Sequence, residues 1–95
     1  MSKAKRIYKY TLAVEGVQPL YVPAGFRPLC VQVQYGVPCL WAEVDDTDER
    51  IQVDVFTYGT GHPLAEDRGA YVGSYQLEGG AFCGHVYVTT EAPER

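Results

Sequence analysis

The sequence has little positive charge, few cysteines and no long apolar run. Eight lysines and arginines stand against 12 aspartates and glutamates, for a formal net charge of −4. The one basic cluster lies near the N-terminus, so a nucleic acid is not the expected partner, because phosphate backbones reward extended basic patches. No apolar segment reaches the ~20 residues of a transmembrane helix, and no membrane partner is expected. The basic start is not followed by an apolar signal core, so we do not expect secretion.

The cysteines indicate a reducing compartment. Cys30, Cys39 and Cys83 are odd in number and form no close pair. This spacing disfavours a disulfide framework or a structural zinc site, and we expect three free thiols. The acidic segment from Asp45 to Glu49 lacks the ligand spacing and the glycine of a calcium loop, so we interpret it as a solvated turn. The sequence therefore predicts neither a metal nor a cofactor.

Composition and periodicity predict one all-β domain. Hydrophobic residues make up 46% and charged residues 21% of the chain, which is typical of a folded domain. Glycine and proline separate segments rich in valine, tyrosine and threonine that alternate with period two. We expect residues 1–95 to form a single antiparallel sandwich or partly open barrel of about six to seven strands. Residues 1–5 and 91–95 are expected to be flexible.

A three-strand meander is expected at the centre of this fold. Three consecutive alternating segments should pair: Leu29–Tyr35, Leu40–Val44 and Ile51–Val55. A two-residue turn at Gly36-Val37 places Val33 opposite Leu40, because only this register gives one continuous apolar face. Pairing across the acidic segment then places Val44 opposite Ile51. Val33 is therefore expected in the core.

A final hairpin is expected around Gly79-Gly80, a strong two-residue turn. In this register Tyr75 lies over Gly84, as an aromatic ring that covers a strand glycine. The same register places Tyr71 opposite Val88 on the apolar face.

The sequence offers little for catalysis. Ser74 lies opposite His85 in the final hairpin, but no element that would stabilise an oxyanion is visible. We interpret the pair as a contact between two surface side chains that has no catalytic role. Cys39 is interpreted as a partly buried, inert thiol. The protein is not expected to be an enzyme.

The second face of the meander is the first candidate site. It combines aromatic rings with amide and carboxylate side chains: Trp41, Phe56, Tyr58, Gln32 and Asp54. Such a mixed surface suits a partly polar partner. Left in water, its three aromatic rings would form a contiguous apolar patch, so we expect a homo-oligomer, most simply a dimer. The alternative is that the N-terminal strand or the last hairpin covers this face.

The second candidate site is the loop formed by Tyr58, Gly59, Thr60, Gly61 and His62. Its glycines let the backbone approach a ligand closely, and Thr60 and His62 supply hydrogen bonds. A nucleotide-like small ligand would suit this loop. The alternative is a wide turn that leaves the fifth strand.

Three segments carry a resemblance to a known family: Ile7–Tyr10, Val31–Ala42 and Tyr58–His62. They resemble small uncharacterised proteins encoded by bacteriophages and prophages, and the resemblance covers nearly the whole chain. Because that family is a domain of unknown function, no catalytic residues are carried over. The resemblance implies a phage product in the cytoplasm of an infected bacterium. Small phage proteins of this size often bind a host factor, including components of antiviral defence.

Three functions follow as expectations. The first is a non-catalytic protein that engages a host protein, as a counter-defence inhibitor. The second is a protein that sequesters a small nucleotide-like signal at the loop Tyr58–His62. The third is a structural or assembly component of the virion.

Overall fold

The computed structural model describes residues 4–14 and 16–89, which form seven strands in two antiparallel sheets. The strands are β1 (Lys5–Thr11), β2 (Gly16–Pro23), β3 (Arg27–Gln34), β4 (Val37–Asp45), β5 (Arg50–Gly59), β6 (Ala70–Leu77) and β7 (Phe82–Val88). The small sheet has the order β1-β4-β3, and the large sheet has the order β2-β5-β7-β6. The described strands form no closed barrel. The all-β sandwich expected from the sequence is confirmed.

The core lies between the two sheets, because each strand alternates inward and outward side chains. Leu40, Ala42 and Val44 of β4 are fully buried from the side of the small sheet. Val53 and Val55 of β5 belong to the same apolar cluster from the side of the large sheet. Full burial of a valine or leucine side chain stabilises the fold by roughly 1.5–3 kcal/mol. This shared apolar layer therefore holds the two sheets together.

The expected meander of three consecutive strands is confirmed for the β3–β4 pair and wrong for the β4–β5 pair. β4 pairs with β1 and β3, whereas β5 pairs with β2 and β7. Val44 lies opposite Arg6 in the small sheet, and Ile51 lies opposite Val22 in the large sheet. Alternation identifies the inward faces of β4 and β5 correctly. It does not distinguish strands that share hydrogen bonds from strands that stack across a core about 10 Å thick.

The turn between β3 and β4 is Tyr35-Gly36 rather than Gly36-Val37. Both turn residues have positive φ, 52° and 78°, as a type I′ hairpin turn requires. The register therefore shifts, and Val33 lies opposite Pro38, not Leu40. Val33 is 37% exposed, so it does not belong to the core. The sequence does not predict this turn, because a bulky tyrosine rarely adopts positive φ and a glycine is expected at the first position.

The final hairpin has the expected register at its tip and departs from it further along. Three pairs match: Leu77–Phe82, Tyr75–Gly84 and Gly73–Val86. A bulge at Val72 then pairs Tyr71 with Tyr87 instead of Val88. One extra residue reverses the face on which the neighbouring side chains lie. The bulge therefore moves Tyr71 to the outer face of the large sheet, where it is 56% exposed.

The chain ends were expected to be flexible, and residues 1–3 and 91–95 lie outside the described residues. Lys5, by contrast, is the first residue of β1, and its ammonium lies 2.5 Å from Asp45 Oδ1. The hydrogen bond and the charge of Asp45 raise the pKa of Lys5. This contact joins the start of β1 to the end of β4.

Cys30, Cys39 and Cys83 are free thiols, and Cys39 is buried. Within residues 4–14 and 16–89, no helix is long and apolar enough to cross a membrane.

Candidate functional site

The outer face of the large sheet carries a row of aromatic rings. The rings of Phe56 and Tyr58 in β5 stack with centroids 6.3 Å apart. Tyr87 in β7 meets Tyr58 edge-on at 5.9 Å and meets Tyr71 in β6 edge-on at 5.4 Å. We call these four rings the tyrosine row. Alternation within each strand explains the row, because the adjacent residues Val55 and Val86 belong to the core on the opposite face.

The connection between β5 and β6 crosses part of this row. The backbone N–H of Ala65 donates to Tyr58 Oη at 3.1 Å. The guanidinium of Arg68 lies over the Tyr87 ring, 4.9 Å from its centroid. Arg68 Nη1 also donates to the carbonyl of Ala65 at 2.8 Å. These contacts fix the loop against the rings, so the row is partly covered by its own chain.

A cleft of about 220 Å³ opens between this loop and the row. Its lining is Tyr58, Gly59, Thr60, Gly61, His62, Leu64, Tyr71, His85 and Tyr87. We call it the tyrosine cleft. The structure thus brings the whole predicted loop Tyr58–His62 into one concavity, together with rings from β6 and β7 that the sequence pattern did not place there.

A chain of hydrogen bonds runs along one side of the cleft. Tyr71 Oη lies 2.7 Å from Ser74 Oγ, and Ser74 Oγ lies 2.8 Å from Nδ1 of His85. Nε2 of the same imidazole lies 2.7 Å from Thr60 Oγ1. The hairpin register predicted the Ser74–His85 pair. It missed both ends of the chain, because Tyr71 reaches this face through the bulge and Thr60 through the fold of the loop.

Two glycines allow the loop to turn back on itself. A Cβ at Gly59 would lie 3.1 Å from Cε1 of His62, a distance that few real Cβ contacts show. Gly61 has φ +93°, which side-chain-bearing residues rarely adopt. The N–H of His62 donates to the carbonyl of Gly59 at 3.1 Å and closes the turn. The glycines therefore set the loop shape that brings Thr60 to His85.

The other predicted interface residues do not join this cleft. Trp41 and Gln32 belong to β4 and β3 of the small sheet. Phe56 lies in the tyrosine row and is only 9% exposed. Asp54 lies further along β5, where its carboxylate accepts a hydrogen bond from Gln52 at 3.0 Å. The expected contiguous patch of Trp41, Phe56 and Tyr58 is therefore wrong, because its members lie on different sheets.

A larger concavity lies elsewhere, between the edge strands β3 and β6. Its volume is about 560 Å³, and residues 25–29 and 70–72 line it. The two strand bulges, at Leu29 and Val72, both open onto it. Its lining offers hydrogen-bonding side chains only from Arg27 and Tyr71. Binding sites combine an apolar wall with several convergent polar groups, so the smaller tyrosine cleft is the better candidate.

The described residues contain no group of three or more side chains that would hold a metal ion. All four ion pairs between described residues lie on or beside the small sheet: Lys5–Glu43, Lys5–Asp45, Arg6–Asp46 and Arg27–Glu43. Among the described residues, the small sheet therefore carries ion pairs and the large sheet carries none.

The fold and this site define a small all-β sandwich with an aromatic, hydroxyl-rich cleft on one outer face. The chain belongs to the family described as Domain of unknown function (DUF7352), whose model matches residues 3–95. This confirms membership of a family of unknown function. No curated protein and no solved structure matches the chain.

Proposed function

We propose that the protein is a non-catalytic binding protein that engages another protein through the tyrosine cleft and the tyrosine row. In the setting that the family resemblance implies, the partner is a host factor in the cytoplasm of a phage-infected bacterium, and binding inhibits a defence component. The observation that carries the proposal is the row of tyrosines, partly buried at Tyr58 and Tyr87 and exposed at Tyr71, beside a ready-formed cleft.

The size of the cleft favours a protein partner. Sites for whole small molecules usually enclose ~300–1,000 Å³. The tyrosine cleft encloses about 220 Å³, which suits one inserted side chain. Tyrosine is enriched at protein interfaces, where central pockets take anchor side chains from the partner. The open ring of Tyr71 at the edge of the cleft extends this surface outward.

The hydrogen bonds of His85 support a binding role over a hydrolytic one. In a catalytic triad a carboxylate orients the imidazole and stabilises its charged form. Here both ring nitrogens of His85 face hydroxyl groups, those of Ser74 and Thr60. Neither contact supplies the carboxylate that a catalytic triad uses.

A small anionic ligand is the second candidate, and one observation favours it. Gly59, Thr60 and Gly61 all line the cleft, and Gly61 adopts a positive φ of 93°. Successive backbone N–H groups in such loops form anion-binding concavities.

Affinity capture with two matched variants tests the proposal. Tyr71→Ala and Tyr21→Ala each remove an exposed ring, 56% and 69% exposed, from opposite edge strands of the large sheet. Only Tyr71 lines the cleft. We expect a bacterial protein captured by the native chain to be lost with Tyr71→Ala and retained with Tyr21→Ala. Equal capture by both variants would contradict the proposal, as would bound small molecules or a second copy of the chain without any host protein.

A further inference from the structure

The hydroxyl and imidazole protons of the hydrogen-bond chain beside the tyrosine cleft can be counted. It joins four side chains by three contacts: Tyr71, Ser74, His85 and Thr60. Each contact uses one proton. The three hydroxyl groups supply three protons, and a neutral imidazole supplies one more. With His85 neutral, a single O–H is therefore left to point away from the chain.

The position of this free O–H depends on the tautomer of His85. If Nδ1 carries the proton, it donates to Ser74 and Thr60 donates to Nε2. When Ser74 in turn donates to Tyr71, the Tyr71 hydroxyl is the one that donates outward. If Nε2 carries the proton, it donates to Thr60, and Ser74 donates to Nδ1. The Thr60 hydroxyl then donates outward. Both of these end residues line the cleft. A neutral chain thus offers the cleft one donor at a time.

Protonation of His85 adds a fifth proton and changes this count. Both ring nitrogens then donate, one to Ser74 and one to Thr60. The Thr60 hydroxyl is then free to donate outward, and the Tyr71 hydroxyl is free as well when Ser74 donates to it. The charged chain presents two O–H donors and a positive charge to the same cleft.

The charges around the cleft also favour an anionic group. The other titratable side chains in its lining are Tyr58, His62, Tyr71 and Tyr87. Although the chain has 12 acidic residues, none that the structure describes lines the cleft. Glu66 and Asp67 belong to the covering loop and are exposed outside the lining.

Two further groups lie close by without lining the cleft. The guanidinium of Arg68 lies over Tyr87 and places a positive charge on this face. Cys83 of β7 lines the adjoining hollow with Ser74 and Gln76. Neither residue brings a negative charge beside His85.

We infer that the tyrosine cleft binds a carboxylate, the side chain of an aspartate or glutamate in the partner protein, and that this binding takes up a proton at His85. A carboxylate has two acceptor oxygens, which match the two O–H donors that the protonated chain provides. It would also offset the imidazolium charge. The inference rests on the proposed function and names the chemistry of the group that enters the cleft.

The test is an NMR titration of the two histidine imidazoles with capped amino acids. The probe is N-acetyl-glutamate α-amide, and its neutral isostere N-acetyl-glutamine α-amide is the matched control. If the protonated chain binds the probe about tenfold more tightly than the neutral chain, saturating probe raises the titration midpoint of His85 by about one pH unit. We expect no rise with the glutamine compound, and the glutamine compound alone serves as the control because His62 also lines the cleft.

Isosteric variants assign the effect to the ends of the chain. Thr60→Val and Tyr71→Phe each remove one outward donor, and each should reduce the rise at His85. An unchanged midpoint with the glutamate probe would overturn the inference, as would an equal rise with the glutamine compound. A larger rise with inorganic phosphate would reject a carboxylate as the preferred group.

This result is separable from the proposed function. If the probe leaves His85 unchanged while Tyr71→Ala still abolishes capture of the host protein, the carboxylate inference fails and the protein-binding role stands. If capture is also insensitive to Tyr71→Ala, both fail.

Discussion

The outer face of the small sheet carries ion pairs, whereas the outer face of the large sheet carries aromatic rings. Across β1, β4 and β3, Glu43 accepts contacts from Lys5 and from Arg27. On the large sheet, the ring of Phe56 is nearly buried beneath its neighbours. Exposed ion pairs contribute little to stability and keep a face solvated. The first face is thus mainly charged, with Ile7 exposed beside the ion pairs, and the second carries aromatic surface that a partner can use.

The largest expected effect is a loss of stability, compared between one aromatic residue on each outer face. Phe56→Ala should destabilise the fold by about 3–5 kcal/mol, because it leaves a cavity at the nearly buried end of the tyrosine row. Trp41→Ala should cost about 1–2 kcal/mol, since Trp41 is only partly buried on the charged face. Urea denaturation of both variants measures the difference. Equal losses would show that the two faces are packed alike.

A smaller effect is expected where β7 supports the cleft from the core side. A Cβ at Gly84 would collide with the ring of Tyr75, whose hydroxyl is held by the carbonyl of Val14 at 2.5 Å. Gly84→Ala should cost about 1–3 kcal/mol through overpacking. At Gly73 a Cβ would meet Val31 at an ordinary 3.7 Å, so Gly73→Ala should change stability little. Thermal unfolding of the pair checks this, and a tolerated Gly84→Ala would contradict the packing described.

The smallest effect concerns a buried hydroxyl of the small sheet. Tyr10 Oη is buried without a hydrogen-bond partner among the described residues, and burial raises its pKa. The folded state therefore holds this proton more tightly, and the associated stability, present below pH about 10, is lost as pH rises through the folded pKa. Tyr10→Phe should stabilise the protein by up to about 1 kcal/mol at neutral pH and should reduce the alkaline loss.

Denaturation at neutral pH and above pH 10 checks this prediction. Tyr21→Phe, at a tyrosine that is 69% exposed, is the control and should change neither value. An alkaline loss that is identical in Tyr10→Phe and the native chain would assign the loss to other groups, Lys5 among them.

The sequence predicts the inward faces well and the strand pairing poorly. Alternation identifies Leu40 and Val55 as core residues, because a side chain's face depends only on its place along its own strand. Pairing depends on turns and bulges, and here a tyrosine occupies a left-handed turn position and Leu29 interrupts β3. Neither feature leaves a periodic signal.

The candidate site was likewise predictable in its local parts and not in its assembly. The glycines around Thr60 predict a special loop, and the hairpin register predicts that Ser74 faces His85. The cleft itself depends on the bulge at Val72, which turns Tyr71 outward. Trp41 was expected on the same face as Phe56 because β4 and β5 were expected to pair. Local pattern thus predicts the parts of the site, and long-range topology assembles them.

Amide hydrogen exchange, measured with and without the captured host protein, tests most directly which face binds. The aromatic-face account predicts slower exchange in residues 58–71 and in β7, with β1 and β3 unchanged. Protection confined to β1, β4 and β3 would contradict it and would assign binding to the charged face.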